Sequence, residues 1–380
     1  MKYCRNCGKA HPDEARFCAG CGQAFTETSS SSQTDQQSTQ RQNEHKSKTL
    51  YEKLNEYMGN DKPASLHWNV LYTDVFKKHT TSEAENIFIR GTESTIPTRA
   101  NLLNDWPRPW LYSRILFAML VTFFLLYICV DEFNNENAIP GLIIVGSFAV
   151  PLSVMIMFFE LNAYRNISMY QVLKMFFIGG AASLVVTLTL FRFVELGNNM
   201  GFGEAILVGI IEEVGKAVIV YYFLKSLHRT RHSILVGLLV GGCVGAGFAA
   251  FESSGYALSY FTLDVIFLRG ILAPGGHVAW AAITGAGMEM AFSGRKECKE
   301  FSAEVLGDSR FLRLFIIPII LHALWDSPLS GIVGSIYIWF GGLILFVWIV
   351  VMIIVQMGLN QLTKDHAMVV ASGSPNTSQI

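Results

Sequence analysis

Glu212-Glu213-Val214-Gly215-Lys216 lies in the middle of the apolar run Ala205–Leu224, a segment long enough to cross a bilayer. Two carboxylates and an ammonium at that depth are costly even on lenient insertion scales, roughly 2.5–3.5 kcal/mol each, and mark a functional site. At about 100° per residue, Lys216 falls between Glu212 and Glu213 and can partner either. A shared proton or that lysine reduces the cost of burying both acids. The expectation is an all-α polytopic membrane protein organised about a polar centre.

Outward from this stretch, about eight apolar segments have the length of a span. They cover 112–130, 138–159, 172–191, 204–225, 233–261, 274–292, 311–330 and 332–357. Basic residues gather in alternate loops: Arg165 and Lys174, then Lys225, Arg229 and Arg231, then Arg295, Lys296, Lys299, Arg310 and Arg313. The loop after the first segment is acidic (Asp131, Glu132, Glu136), so the positive-inside rule places both termini in the cytosol. Arg192 and Arg269 sit in loops that do not sort by this rule. Trp106-Pro107-Arg108-Pro109-Trp110 has the aromatic character of an anchor at headgroup level.

The 380 residues carry a net charge of −1, which leaves no basic field for nucleic acid. Met1–Gly22 lacks the apolar core of a secretory signal. It holds instead Cys4-x-x-Cys7 and Cys18-x-x-Cys21, four thiolates with the spacing of a tetrahedral, structural Zn²⁺ site. Such a ribbon suits docking of a cytosolic regulatory partner better than catalysis, because four ligands leave no open position. Cys129, Cys243 and Cys298 are scattered and read as packing residues. The expected organisation is a zinc ribbon at 1–25, a disordered Ser/Gln/Thr-rich linker at 26–48 and a small soluble helical segment at 49–109. A multi-span domain at 110–360 and a flexible tail at 361–380 complete it. In the soluble segment Leu50, Tyr51, Leu54 and Tyr57 recur at helical spacing, as do Val70, Val75 and Phe76.

Further polar residues lie within the apolar segments. Gly241, Gly242, Gly245 and Gly247 permit close helix approach and precede Glu252, a third embedded acid, with Tyr256 one turn later. The next segment opens with His277 and Trp280, and the one after carries His322 and Asp326 at i,i+4, where the acid can select the imidazole tautomer. At 1.5 Å rise per residue, Glu212, Glu213 and His322 fall near the midplane, and Glu252, Tyr256, His277 and Asp326 toward the external half. Any one of these has a structural explanation as a helix-to-helix hydrogen bond. Several acids, a lysine and two histidines at one level point to a site.

The motifs Glu212-Glu213-x-x-Lys216, Phe251-Glu252-x-x-x-Tyr256, His277-x-x-Trp280 and His322-x-x-x-Asp326 resemble the PrsW family of intramembrane proteases. They are more distantly similar to the CAAX prenyl protease/Abi superfamily. The resemblance covers about residues 110–360; the ribbon, linker and soluble segment depart from it. It implies hydrolysis of peptide bonds in membrane-protein substrates, anti-sigma factors among them in some relatives. Glu212 or Glu213 would activate water, with Lys216 tuning the pair. His322, oriented by Asp326, would donate to the oxyanion or leaving amine, His277 would assist, and Glu252 and Tyr256 would shape the site. A glutamate-type mechanism without catalytic metal is favoured, since no His-Glu-x-x-His run is present. The rival readings are a proton- or ion-coupled transporter and a zinc-ribbon membrane receptor. The transporter predicts matching broken segments in two halves, but the polar motifs cluster in segments four to seven.

Overall fold

The computed structural model describes residues 2–3, 10–12, 14–15, 48–60, 64–98, 101–102, 106–194, 197, 201–227, 231–260, 263–295, 300–332 and 335–372. They belong to two compact units, Met1–Leu50 and Tyr51–Ile380. In the first, Lys2–Tyr3 (β1) and Ala10–His11 (β2) pair antiparallel, with Lys2 opposite His11. Cys4, Cys7, Cys18, Cys21 and Cys298, nearly all of the 26–48 linker and the end of the C-terminal tail lie outside the described residues.

The second unit is helical. It opens with Leu50–Tyr57 (α1) and Thr81–Phe88 (α2), the latter started by a reciprocal cap between Thr80 and Glu83. The periodicity of Val70, Val75 and Phe76 yields no α-helix. Trp68–Leu71 makes a single 3₁₀ turn, and Thr73 Oγ1 bonds back to the Asn69 carbonyl, a local alternative to helix propagation.

Among the described residues six helical segments are long and apolar enough to cross a membrane. They are Leu111–Asp131, Glu136–Leu161, Met169–Phe191, Ile234–Ser259, Asp264–Ser293 and Ile336–Met368. Two further helices, Phe202–Lys225 and Ser309–Asp326, coincide with the remaining expected segments but carry too many charges to qualify by composition. In chain order the helices are α3 (Leu111–Asp131), α4 (Ile139–Leu161), α5 (Met169–Phe191), α6 (Phe202–Lys225), α7 (Ile234–Tyr260) and α8 (Leu263–Leu272). Then come α9 (His277–Ser293), α10 (Ser309–Asp326) and α11 (Ile336–Ser372). Asp264–Ser293 is longer than the segment expected there, because α8 precedes α9 across the 3₁₀ turn Ala273–Gly275. Pro274 in that turn has no N–H to continue the helix.

Helix α7 is the axis of the bundle, buried along nearly its whole length, whereas α3 exposes Phe117, Phe124 and Leu125. The reason is a stripe of small residues. A Cβ added at Gly237, Gly241 or Gly245 would sit 2.4, 1.9 or 2.2 Å from the carbonyl oxygens of Gly285, Ala281 or His277 respectively. The backbones of α7 and α9 therefore run antiparallel in direct contact, as small residues permit. This contact places the first residue of α9, His277, against Gly245 of α7.

Candidate active site

Helix α6 carries Glu212, Glu213 and Lys216 into the bundle. Lys216 Nζ donates to Glu213 Oε1 at 2.6 Å and stands 3.8 Å from Glu212 Oε2. The lysine thus lies between both acids, closer to the i−3 partner. Glu213 and Lys216 are fully buried, and the Lys216 ammonium faces the Phe248 ring at 4.6 Å.

Helix α10 brings His322 to the same carboxylate. Its Nδ1 lies 2.8 Å from Glu213 Oε1, and a carboxylate only accepts, so Nδ1 carries a proton. Its Nε2 lies 3.3 Å from Asp326 Oδ2 and 3.6 Å from Glu212 Oε2. The imidazole is tilted over the Trp280 indole, centroids 4.6 Å apart, which fixes the ring plane. On α9, His277 Nδ1 is 2.8 Å from Lys216 Nζ and Nε2 is 3.0 Å from Glu252 Oε2. An ammonium only donates, so with Lys216 charged Nδ1 accepts and Nε2–H donates to Glu252.

These groups meet at a cavity of about 440 Å³ walled by Glu212, Glu252, Tyr256, His277, His322 and Asp326. Glu213 and Lys216 are not part of its wall; they stand behind it and hold the two imidazoles. All the candidate residues of the helical domain therefore converge, with one change of partner. Tyr256 lies under the Arg269 guanidinium at 4.6 Å, and it is Arg269 that pairs with Glu252.

Arg269, which the sequence places in a loop, is a further residue of this site. It sits on α8, donates from Nε to Ser253 Oγ at 2.8 Å and lines the cavity. A lone arginine inside an apolar stretch was its available signal, by the same argument that selects Glu212. A second omission is Glu289, buried on α9, whose Oε1 meets His232 Nδ1 at 2.7 Å.

The donors suit a divalent cation. Glu212, His277 and His322 each offer one ligand atom, all within 4.8 Å of one another, His277 by exchanging its bond to Lys216 or to Glu252 for the ion. Glu212 Oε2 is a buried oxygen with no hydrogen-bond partner among the described residues. Four carboxylates (Glu212, Glu213, Glu252, Asp326) face two fixed cations, Lys216 and Arg269, so a divalent ion would offset an excess of negative charge. The Glu213–His322 bond is the carboxylate–imidazole arrangement that orients metal-binding histidines.

Residues 168–356 match the family model described as PrsW family intramembrane metalloprotease, and residues 3–25 match the zinc-ribbon domain. The match falls in the membrane part of the chain, which is similar to the PrsW family. Protease PrsW of Shouchella clausii (strain KSM-K16) is 28% identical over 198 residues, which are 51% of this chain and 82% of that protein. No solved structure matches the chain. Every cavity residue named above lies within the PrsW match. This similarity and the six apolar helices support a multi-pass membrane protein with peptidase activity.

Proposed function

We propose that the chain is an intramembrane endopeptidase that hydrolyses membrane-protein substrates in the α6–α10 cavity. The observation that carries this is the convergence of Glu212, His277 and His322 on the wall of one cavity of about 440 Å³ inside an apolar bundle. Glu212 is the general base, because its unpartnered oxygen belongs to a residue of the cavity wall, whereas Glu213 stands behind that wall with Oε1 committed to Lys216 and His322. His322 has carboxylates at both ring nitrogens, so it is placed to carry two protons and to hand one to the leaving amine. Asp326 and Glu213 position that ring, His277 is held by Lys216 and Glu252, and Tyr256 with Arg269 borders the substrate space.

Glu212, His277 and His322 would also hold a divalent metal, which when bound supplies Lewis acidity toward a carbonyl or water oxygen. In this reading α6 and α10 cross the membrane as well, their charges paired within the bundle. The termini are cytosolic, and the ribbon holds Zn²⁺ and docks a cytosolic regulator.

The test is a quantitative membrane proteome of cells carrying wild type against Glu212→Gln at matched expression. One or a few membrane proteins should persist at full length in the variant and be shortened in wild type. No change in the length of any membrane protein would overturn the protease reading and favour transport. Metal analysis of the purified full-length protein divides the two mechanisms. One zinc per chain, lost in Cys18→Ser, leaves the glutamate-type mechanism; a second ion, lost in His322→Ala, makes Glu212 a ligand.

A further inference from the structure

A second polar cavity lies away from the cluster of acids, at the ends of α3 and α4. It has a volume of about 170 Å³ and is walled by Arg90, Arg108, Arg165, Glu160, Trp106 and Trp110. Three separate pieces of chain supply the arginines: the end of α2, the stretch before α3 and the turn after α4.

The fold holds these cations together deliberately. Gly91, at φ +73°, allows the turn after α2 to lie against the 167–168 backbone, where an added Cβ would be 2.1 Å from Ile167 O. Arg165 itself adopts φ +49°, a left-handed conformation uncommon for a side chain of its size, in a turn closed by its N–H to the Asn162 carbonyl. Asn166 ties that turn to the Arg231 carbonyl at 3.2 Å. Burial lowers the Arg90 guanidinium to about 10, with the neighbouring Arg165 charge adding to the shift.

Among the described residues one acid, Glu160, lines the cavity with them, and it is occupied. Glu160 Oε1 accepts from the N–H groups of Trp110 and Leu111 at 2.9 and 3.0 Å, and Oε2 from Tyr112 at 3.0 Å. The carboxylate caps α3 across fifty residues of sequence. No hydrogen bond or ion pair joins the Arg90, Arg108 or Arg165 side chain to another described residue. Three guanidiniums thus surround a small space, with no donor spent on another described residue.

We propose that this cavity binds a phosphate oxyanion, the group to which guanidinium forks are geometrically matched. Its position at the ends of two spans, between two tryptophans, makes an anionic lipid headgroup the natural source; a soluble phosphate shares the chemistry. A bound anion would tie the 64–110 segment to the bundle by bridging its arginines to Arg165. This is independent of the proposed catalysis.

The test uses delipidated full-length protein in neutral detergent. Thermal unfolding is followed while dioctanoyl phosphatidylglycerol, dioctanoyl phosphatidylcholine or inorganic phosphate is titrated. A saturable rise in midpoint with phosphatidylglycerol is expected, with affinity about tenfold or more weaker in Arg165→Gln and in the exposed-site variant Arg108→Gln. A rise with phosphatidylglycerol alone assigns the site to lipid, and a rise with inorganic phosphate as well or instead assigns it to phosphate from either source. No rise with either, a rise with phosphatidylcholine equal to that with phosphatidylglycerol, or affinities unchanged in both variants would overturn the proposal. Arg108→Gln, at an exposed residue, keeps the test valid if Arg165→Gln fails to fold.

Discussion

Two buried acid–imidazole pairs stand in this bundle, Glu213 with His322 and Glu289 with His232. Their local geometries are nearly the same. Glu–Nδ1 distances are 2.8 and 2.7 Å, both carboxylates are fully buried, and each has a second oxygen without a partner among the described residues. Each imidazole lies on an aromatic ring, Trp280 for one and Phe301 for the other. They differ in what surrounds the pair. His322 presents its other nitrogen to Glu212 and Asp326 at the cavity wall, whereas neither His232 nor Glu289 reaches that cavity. A buried acid–histidine bond is therefore not a signature of chemistry; access to a space that can hold substrate separates a site from a clamp.

Substitutions can break this contrast. The largest effect is expected at Glu212→Gln, which keeps the shape of the wall but removes the proposed base; turnover of the identified substrate should fall by about 10²–10⁴-fold with folding retained. Glu289→Ala should do the opposite. It leaves His232 unpaired in an apolar surround and should lower stability by about 2–3 kcal/mol in thermal or denaturant unfolding, with the turnover per folded molecule unchanged. Loss of turnover in that variant would show that the second pair also serves the reaction. The smallest effect is expected at Asp326→Asn, which weakens the hold on one His322 nitrogen while Glu213 keeps the other. Turnover should fall by about 10–100-fold, and a circular dichroism melt should match wild type.

The elements of the site were readable because membrane helices make polar residues conspicuous. Glu212, Glu213, Lys216, Glu252, His277, His322 and Asp326 stand out against apolar runs, and i,i+3 and i,i+4 spacing correctly paired Lys216 with both glutamates and Asp326 with His322. The same rule applied evenly would have flagged Arg269 and Glu289. Arg269 reads as a loop residue because Ala273-Pro274-Gly275 interrupts its apolar stretch, and Val70, Val75 and Phe76 carry a helical period without forming an α-helix.

By itself, then, the sequence determined the class of the fold, the apolar helices and the short-range pairs, since hydropathy and helical period are properties of single segments. Only the tertiary structure decided that Glu212 rather than Glu213 walls the cavity, that Arg269 pairs with Glu252, and that Arg90 meets Arg165. Those are contacts between helices, and they depend on how closely backbones approach. That approach is set by features such as the Gly237, Gly241 and Gly245 stripe against α9, whose partner no periodicity within one helix can name.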